Sequence, residues 1–174
     1  MPQQFLDVYV NSYLIEIPRL IDHKKPFFVN SPKGIRNFSE KIFPLLFKNL
    51  IPETTISCNK EILEAFIKKH KSFILKPLFD KGGNGIFLLK QNDPNTKSLI
   101  QILSEDFKNP IILQEFLPNV KNGDKRIILI DGEPVGAVNR IPSDGNFKAN
   151  LHLGGSANKT ILTKKELAIC KKII

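Results

Sequence analysis

Residues 121–141 read KNGDKRIILIDGEPVGAVNRI, and the rest of the chain is best understood outward from this stretch. Arg126 to Ile130 and Glu133 to Asn139 are two β-prone runs separated by Asp131-Gly132. Asp-Gly at that place predicts an antiparallel hairpin, because both residues tolerate the positive φ of a tight two-residue turn. Arg126 and Arg140 stand on its neighbouring strands. Two guanidinium groups so placed suit a carboxylate or a phosphate. The competing reading is an exposed strand end whose charges only keep it solvated, and spacing does not choose between the two.

A second hairpin lies upstream. Phe73-Ile74-Leu75 runs into Lys76-Pro77, Ile86 to Leu89 forms the return strand, and Asp80-Lys81-Gly82-Gly83-Asn84-Gly85 is the tip. Glycines let backbone N–H groups approach an anion closely, and Lys76 is near enough to share it. The loop matches neither a P-loop nor a dinucleotide fingerprint, and no helix follows it. Taken alone it reads as a flexible turn. Ile111 to Phe116 is a further strand, with Gln114-Glu115-Phe116-Leu117 at its end.

Helical signals surround these strands. Val10, Leu14, Ile17 and Ile21 predict a helix over 5–21 that breaks near Pro18, and Phe27-Phe28-Val29 a short strand. Ser31-Pro32 reads as a helix start. Asn37 with Glu40 predicts a capping box for a helix toward Phe47, kinked at Pro44. Asn59 opens a helix with Ile62, Leu63, Phe66 and Ile67 on one face. Another is expected over 95–107. Thr163 and Glu166 cap the last, with Leu167, Cys170 and Ile174 as its stripe. From Pro142 to Lys159 the chain shows no period and reads as a structureless stretch, either a mobile cover carrying Lys148, Asn150 and His152 or simply a long surface loop. This order argues for an α+β fold with antiparallel sheets, not a doubly wound parallel one.

Composition narrows the function classes. A chain of 174 residues predicts one domain or two small lobes. The net charge of +9 raises a polyanion as partner. Against nucleic acid, arginine occurs only at positions 19, 36, 126 and 140, and the lysines are scattered as on ordinary solvated faces. No run of 18 apolar residues exists, which argues against a membrane span. No apolar segment follows a basic start, which argues against a secretory signal. Cys58 and Cys170 form no ligand pair, so neither a zinc site nor a disulfide framework is expected and a reduced cytoplasm fits. No GxSxG nucleophile is present.

Together the segments resemble the prokaryotic glutathione synthetases of the ATP-grasp superfamily. The stretches that carry the resemblance are Val29-Asn30-Ser31-Pro32, Glu40-Lys41-Ile42-Phe43, Ile74-Leu75-Lys76-Pro77-Leu78, Gly82-Gly83-Asn84-Gly85-Ile86-Phe87 and Gln114-Glu115-Phe116-Leu117-Pro118. They continue with 121–127, Asp131-Gly132-Glu133-Pro134-Val135, Arg140-Ile141-Pro142 and Asn150-Leu151. The resemblance implies the ATP-grasp fold, two α/β lobes with antiparallel sheets. Residues 1–37 would be a remnant of an N-terminal substrate lobe and linker, 38–115 the lid lobe, and 116–174 the start of the C-terminal lobe. It implies ATP as cofactor, with Lys41 and Lys76 on its phosphates and Gly82, Gly83, Asn84 and Gly85 covering them. Gln114, Glu115, Phe116 and Leu117 would meet the adenine, and Asp124 would also serve the nucleotide. Arg126, Arg140 and Lys148 would be catalytic and, with Asn150, bind substrate. The implied reaction joins γ-glutamylcysteine to glycine through an acyl phosphate.

Departures from the family pattern bear on that reaction. Lys148-Ala149-Asn150 has lysine and alanine where arginine and glycine are usual, and His152-Leu153 replaces two small residues. Lysine keeps the charge and loses the planar fork. Family chains are roughly twice this length. The expectation is therefore an incomplete fold, truncated at both ends, whose Mg²⁺ ligands lie in a missing C-terminal segment. Such a chain is expected to be inactive alone, its missing lobes supplied by a separate chain, and the resemblance separately implies a homo-oligomer. The alternatives are a non-catalytic nucleotide-binding remnant and a basic polyanion-binding module.

Overall fold

The structure is a computed structural model that describes residues 30–79 and 83–173. The helix expected over 5–21, the strand over 27–29, Gly82 and Ile174 lie outside the described residues. The chain divides into two units, Met1–Phe116 and Leu117–Ile174.

The first unit is built on a four-stranded sheet of β1 (Thr54–Ser57), β2 (Ser72–Pro77), β3 (Phe87–Lys90) and β4 (Ile111–Glu115), in the order β1-β4-β2-β3. Every neighbouring pair is antiparallel. Side chains alternate along a strand, so one face of the sheet carries Phe73, Leu75, Leu89, Ile111 and Leu113. On it pack Leu63 and Phe66 of α2 (Lys60–Lys69) and Ile100 of α3 (Thr96–Leu103). Helix α2 begins where its cap predicts: the Asn59 side chain accepts the Ile62 N–H at 3.0 Å. The opposite face carries Thr54, Ile74, Lys76 and Gln114, as the pairing Thr54↔Gln114↔Ile74 requires.

Three expectations need correction here. Asn37 is the last residue of α1 (Pro32–Asn37) and caps nothing. The segment after it is a 3₁₀ helix, Phe43–Leu50, with Pro44 in its first turn and Phe47 out of helical conformation. Proline suits a first turn because its missing N–H would be unpaired there anyway. Second, β1 has no counterpart in the sequence reading. Third, α3 stops at Leu103. Glu105, Asp106 and Phe107 are left-handed, and the fully buried Ser104 holds the turn by accepting the Phe107 N–H on its hydroxyl at 2.9 Å.

The second unit is a three-stranded antiparallel sheet, β5 (Asp124–Ile130), β6 (Glu133–Ile141) and β7 (Ser156–Lys159), in the order β5-β6-β7. Asp131 and Gly132 turn at φ 50° and 82°, as the Asp-Gly pair predicts. The stretch expected to be structureless over 142–159 contains a 3₁₀ turn, Leu151–Leu153, and ends in β7. Helix α4 (Lys164–Ile173) packs against β6. Its capping box forms as expected: Glu166 accepts from the Thr163 N–H at 2.7 Å, and the Thr163 hydroxyl accepts the Glu166 N–H at 3.2 Å. No helix among the described residues is long and apolar enough to cross a membrane.

Candidate functional site

Lys76 is the last residue but one of β2, on the sheet face opposite the core. It is half-buried and donates to the Gln114 Oε1 at 2.9 Å. Burial pushes its ammonium below the ordinary lysine range, Lys41 adds repulsion, and Glu40 opposes both. The cause places Lys41 and Lys76 within electrostatic reach of one another, although 35 positions separate them in the chain (76 minus 41). A half-buried cation with a second cation beside it makes this face a candidate for binding an anion.

The glycine turn follows directly. Gly83, Asn84 and Gly85 are in a turn between β2 and β3. Gly85 has φ +63°, and a Cβ there would stand 3.1 Å from the Pro77 ring. The turn therefore folds back onto the residue next to Lys76, which only glycine permits. At the end of β4 the Glu115 N–H bonds the Glu53 carbonyl at 2.8 Å, and the Phe116 N–H bonds Ser72 at 3.4 Å. The Glu115 and Phe116 amides are thus engaged in backbone hydrogen bonds. Leu117 is the next amide along and opens the 3₁₀ turn Pro118–Asn122.

In the second unit Asp124 lies opposite Arg140, and Arg126 lies opposite Val138. Asp124, Arg126 and Arg140 therefore share one face of that sheet. Arg140 grips the Asp124 carboxylate with Nε and Nη2, both at 2.6 Å. Arg126 is exposed. Gly123 sets this pair in place: its φ is +103°, and a Cβ would stand 2.6 Å from the Asn139 amide and 2.8 Å from the Arg140 carbonyl. On the other face Lys125 donates to Glu166 at 2.9 Å and to the Ile161 carbonyl at 3.1 Å. That contact, with the Thr163 cap, lowers the Glu166 carboxyl to about 2. Lys148 lies over the Phe147 ring at 5.7 Å, and its N–H bonds the Asn146 side chain at 3.0 Å. The Asn150 carbonyl accepts from Leu153 and Gly155.

Sequence reasoning missed Thr54. Its hydroxyl donates to the Pro52 carbonyl at 2.8 Å and accepts from the Gln114 Nε2 at 2.7 Å. The only sequence signal was the Thr-Thr-Ile run itself, too short to show a strand period.

The model of the prokaryotic glutathione synthetase ATP-grasp domain matches residues 40–174. The chain belongs to this family. It is 42% identical over 158 residues to the glutathione synthetase of Synechocystis, covering 91% of this chain and 49% of that one. To the glutathione synthetase of Mesorhizobium japonicum it is 46% identical over 151 residues, covering 87% of this chain and 48% of the relative. The chain thus spans about half the length of the curated relatives it matches. Among solved structures it is similar to the D-cycloserine synthetase DcsG (TM-score 0.67, 12% identity, 97% of this chain and 59% of that one). It is also similar to the ATP-grasp ligase PsnB complexed with a precursor peptide and AMPPNP (TM-score 0.61, 17% identity, 98% and 52%). These two likenesses establish the ATP-grasp fold, which was the expectation from sequence.

Proposed function

We propose that this chain binds ATP and serves the ATP-dependent ligation of γ-glutamylcysteine to glycine. The observation that carries the reading is Lys76, a half-buried ammonium destabilised by burial and by Lys41, in a chain of this family. A phosphate beside the two lysines offsets the repulsion between them.

The residues divide the work by chemistry. Lys76 and Lys41 hold phosphate oxygens, and Gly82 to Gly85 cover them with backbone N–H groups. Glu115, Phe116 and Leu117 offer backbone groups to the adenine edge. Arg126 and Arg140 receive the peptide carboxylate or the transferring phosphoryl group, with Asp124 holding the Arg140 guanidinium in one orientation. Lys148 and Asn150 meet the substrate. Residues 38–115 act as the lid lobe and 116–174 as the beginning of the C-terminal lobe. In the reaction a dipeptide carboxylate oxygen attacks the γ-phosphorus, the bond to the bridging oxygen breaks, and ADP leaves. The glycine amine then attacks the acyl carbon, phosphate departs, and the amine nitrogen loses a proton. Cations near the phosphoryl group stabilise the first step, and exclusion of water protects the acyl phosphate in the second.

The family reaction also implies Mg²⁺. Among the described residues no three His, Cys, Asp or Glu side chains come together as a metal-holding group. The described residues do not fit that ion. The same observation favours a second reading, nucleotide binding without turnover by this chain alone.

Calorimetric titration with ATP tests the nucleotide reading. The expected result is binding that Lys76→Met abolishes, and the absence of heat at millimolar ATP overturns it. An ADP-release assay with γ-glutamylcysteine, glycine and Mg²⁺ then separates the two readings. Turnover by the isolated chain eliminates the second. We place the protein in the cytoplasm, in keeping with its two unpaired cysteines.

A further inference from the structure

We propose that Thr54 is a positioning residue for Lys76, acting through the side-chain amide of Gln114. The proposal rests on the reading of Lys76 as a phosphate ligand and deepens it. Four polar groups stand in series: the Lys76 ammonium, the Gln114 amide, the Thr54 hydroxyl and the Pro52 carbonyl. They are joined by bonds of 2.9, 2.7 and 2.8 Å.

The direction of this series is forced by its ends. A lysine ammonium can only donate, and a proline carbonyl can only accept. The Thr54 hydroxyl has one proton, which goes to Pro52, so toward Gln114 it can only accept. The Gln114 amide must therefore turn its NH₂ to Thr54 and its oxygen to Lys76. Thr54 reaches this position because the first residue of β1 pairs with Gln114, which pairs in turn with Ile74 on β2.

Without the hydroxyl the amide loses the acceptor for its NH₂ and with it the reason for its orientation. A turned amide points NH₂ at an ammonium already destabilised by burial and by Lys41. Two donors then face each other, and Lys76 is no longer held where the phosphate meets it.

Thr54→Val keeps the branched shape that a strand favours and removes only the hydroxyl function. Thr54→Ser keeps the hydroxyl and removes the methyl. The three full chains are titrated with ATP, and the side-chain NH₂ signals of Gln114 are followed in ¹⁵N-correlated spectra, with Gln114→Ala to assign them. Thr54→Val is expected to weaken ATP binding about tenfold, the scale of one hydrogen bond beside a charge. Thr54→Ser stays within about twofold of the parent on the same scale. The Gln114 signals move in the valine variant and hold in the serine variant. Parent-like ATP binding by Thr54→Val overturns the proposal. So does an equal loss in Thr54→Ser, which makes the methyl packing the cause, or a Gln114 signal unmoved by valine. A parent chain that binds no ATP defeats the nucleotide reading separately, and the relay is then judged by the Gln114 and Lys76 Nζ signals of the same three proteins.

Discussion

The two units of this chain solve the problem of staying folded by different means. In the first, Leu63, Phe73, Leu75, Ile111, Ile112 and Leu113 are all under 2% exposed. In the second, the buried side chains among the described residues are the small ones of Ala137, Ala149 and Cys170, while Ile128, Ile130 and Val135 are each at least half exposed. What orders the second unit is polar: the Asp124–Arg140 pair on one face of its sheet and the Lys125–Glu166–Thr163 cluster on the other. Burial of a large apolar side chain is worth about 1.5–3 kcal/mol, and an exposed ion pair about 1 kcal/mol or less. The first unit should therefore respond to changes in volume, the second to changes in charge and backbone fit.

The sharpest way to break this contrast is by truncation. Phe73→Ala is expected to cost about 3–5 kcal/mol in a denaturant melt, because it opens a cavity between the sheet and α2. Cys170→Ala in the second unit should cost about 1 kcal/mol, since little volume is lost. Equal losses would mean that the second unit has a core of the same kind. Next in size is Gly123→Ala, at about 1–3 kcal/mol. Its Cβ would collide with Asn139 and the Arg140 carbonyl from a backbone at φ +103°. The same denaturant melt reads it, and an unchanged midpoint would show that the Gly123 turn relaxes without strain.

The same division explains what could be read in the sequence. Hairpins with glycine turns and helices with capping side chains were legible, because Asp131-Gly132, Asn59 and Thr163 act on their own neighbours. The two strands that were missed, β1 and β7, are both edge strands of four residues. Neither has an alternating pattern: all four residues of β1 are half-buried, and all four of β7 are exposed. They are strands because β4 and β6 offer them hydrogen bonds, a long-range fact that no local window contains. Missing β1 hid Thr54, and with it the support of Lys76. The family resemblance had already marked Lys76, Gln114 and Arg140, but not what holds each of them.

Acid offers a smaller test. The Glu166 carboxyl titrates at about 2, below its ordinary value of 4.5, chiefly because Lys125 bonds it and Thr163 donates to it. A depressed carboxylate stabilises the fold fully above its ordinary value and loses that contribution as pH falls through the folded one. The start of α4 should therefore loosen between about pH 4.5 and about pH 2. Amide exchange of α4 reads this, and Glu166→Gln should remove the pH dependence there. Exchange in α2, whose buried side chains need no ionised partner, should change less. Comparable loosening of both helices would erase the distinction between the units.

The smallest effect on stability belongs to the residue with the largest proposed effect on binding. Lys76 is an exception within the first unit, a charge held against its own burial and against Lys41. Its lowered ammonium means that the folded state binds that proton less well than the unfolded chain does. The stability this implies is present at high pH and is lost as pH falls through the lowered value, so at neutral pH the charge works against folding. Lys76→Met should leave the melting temperature of the free protein unchanged or slightly raised, while ATP no longer shifts it. The unmodified chain should gain stability with ATP, and that gain should fade as pH rises through the lowered lysine range and the ammonium discharges. A clear drop in the melting temperature of free Lys76→Met would show that the Lys76–Gln114 bond contributes more than burial costs. The first unit would then contain a polar tie of the kind that orders the second.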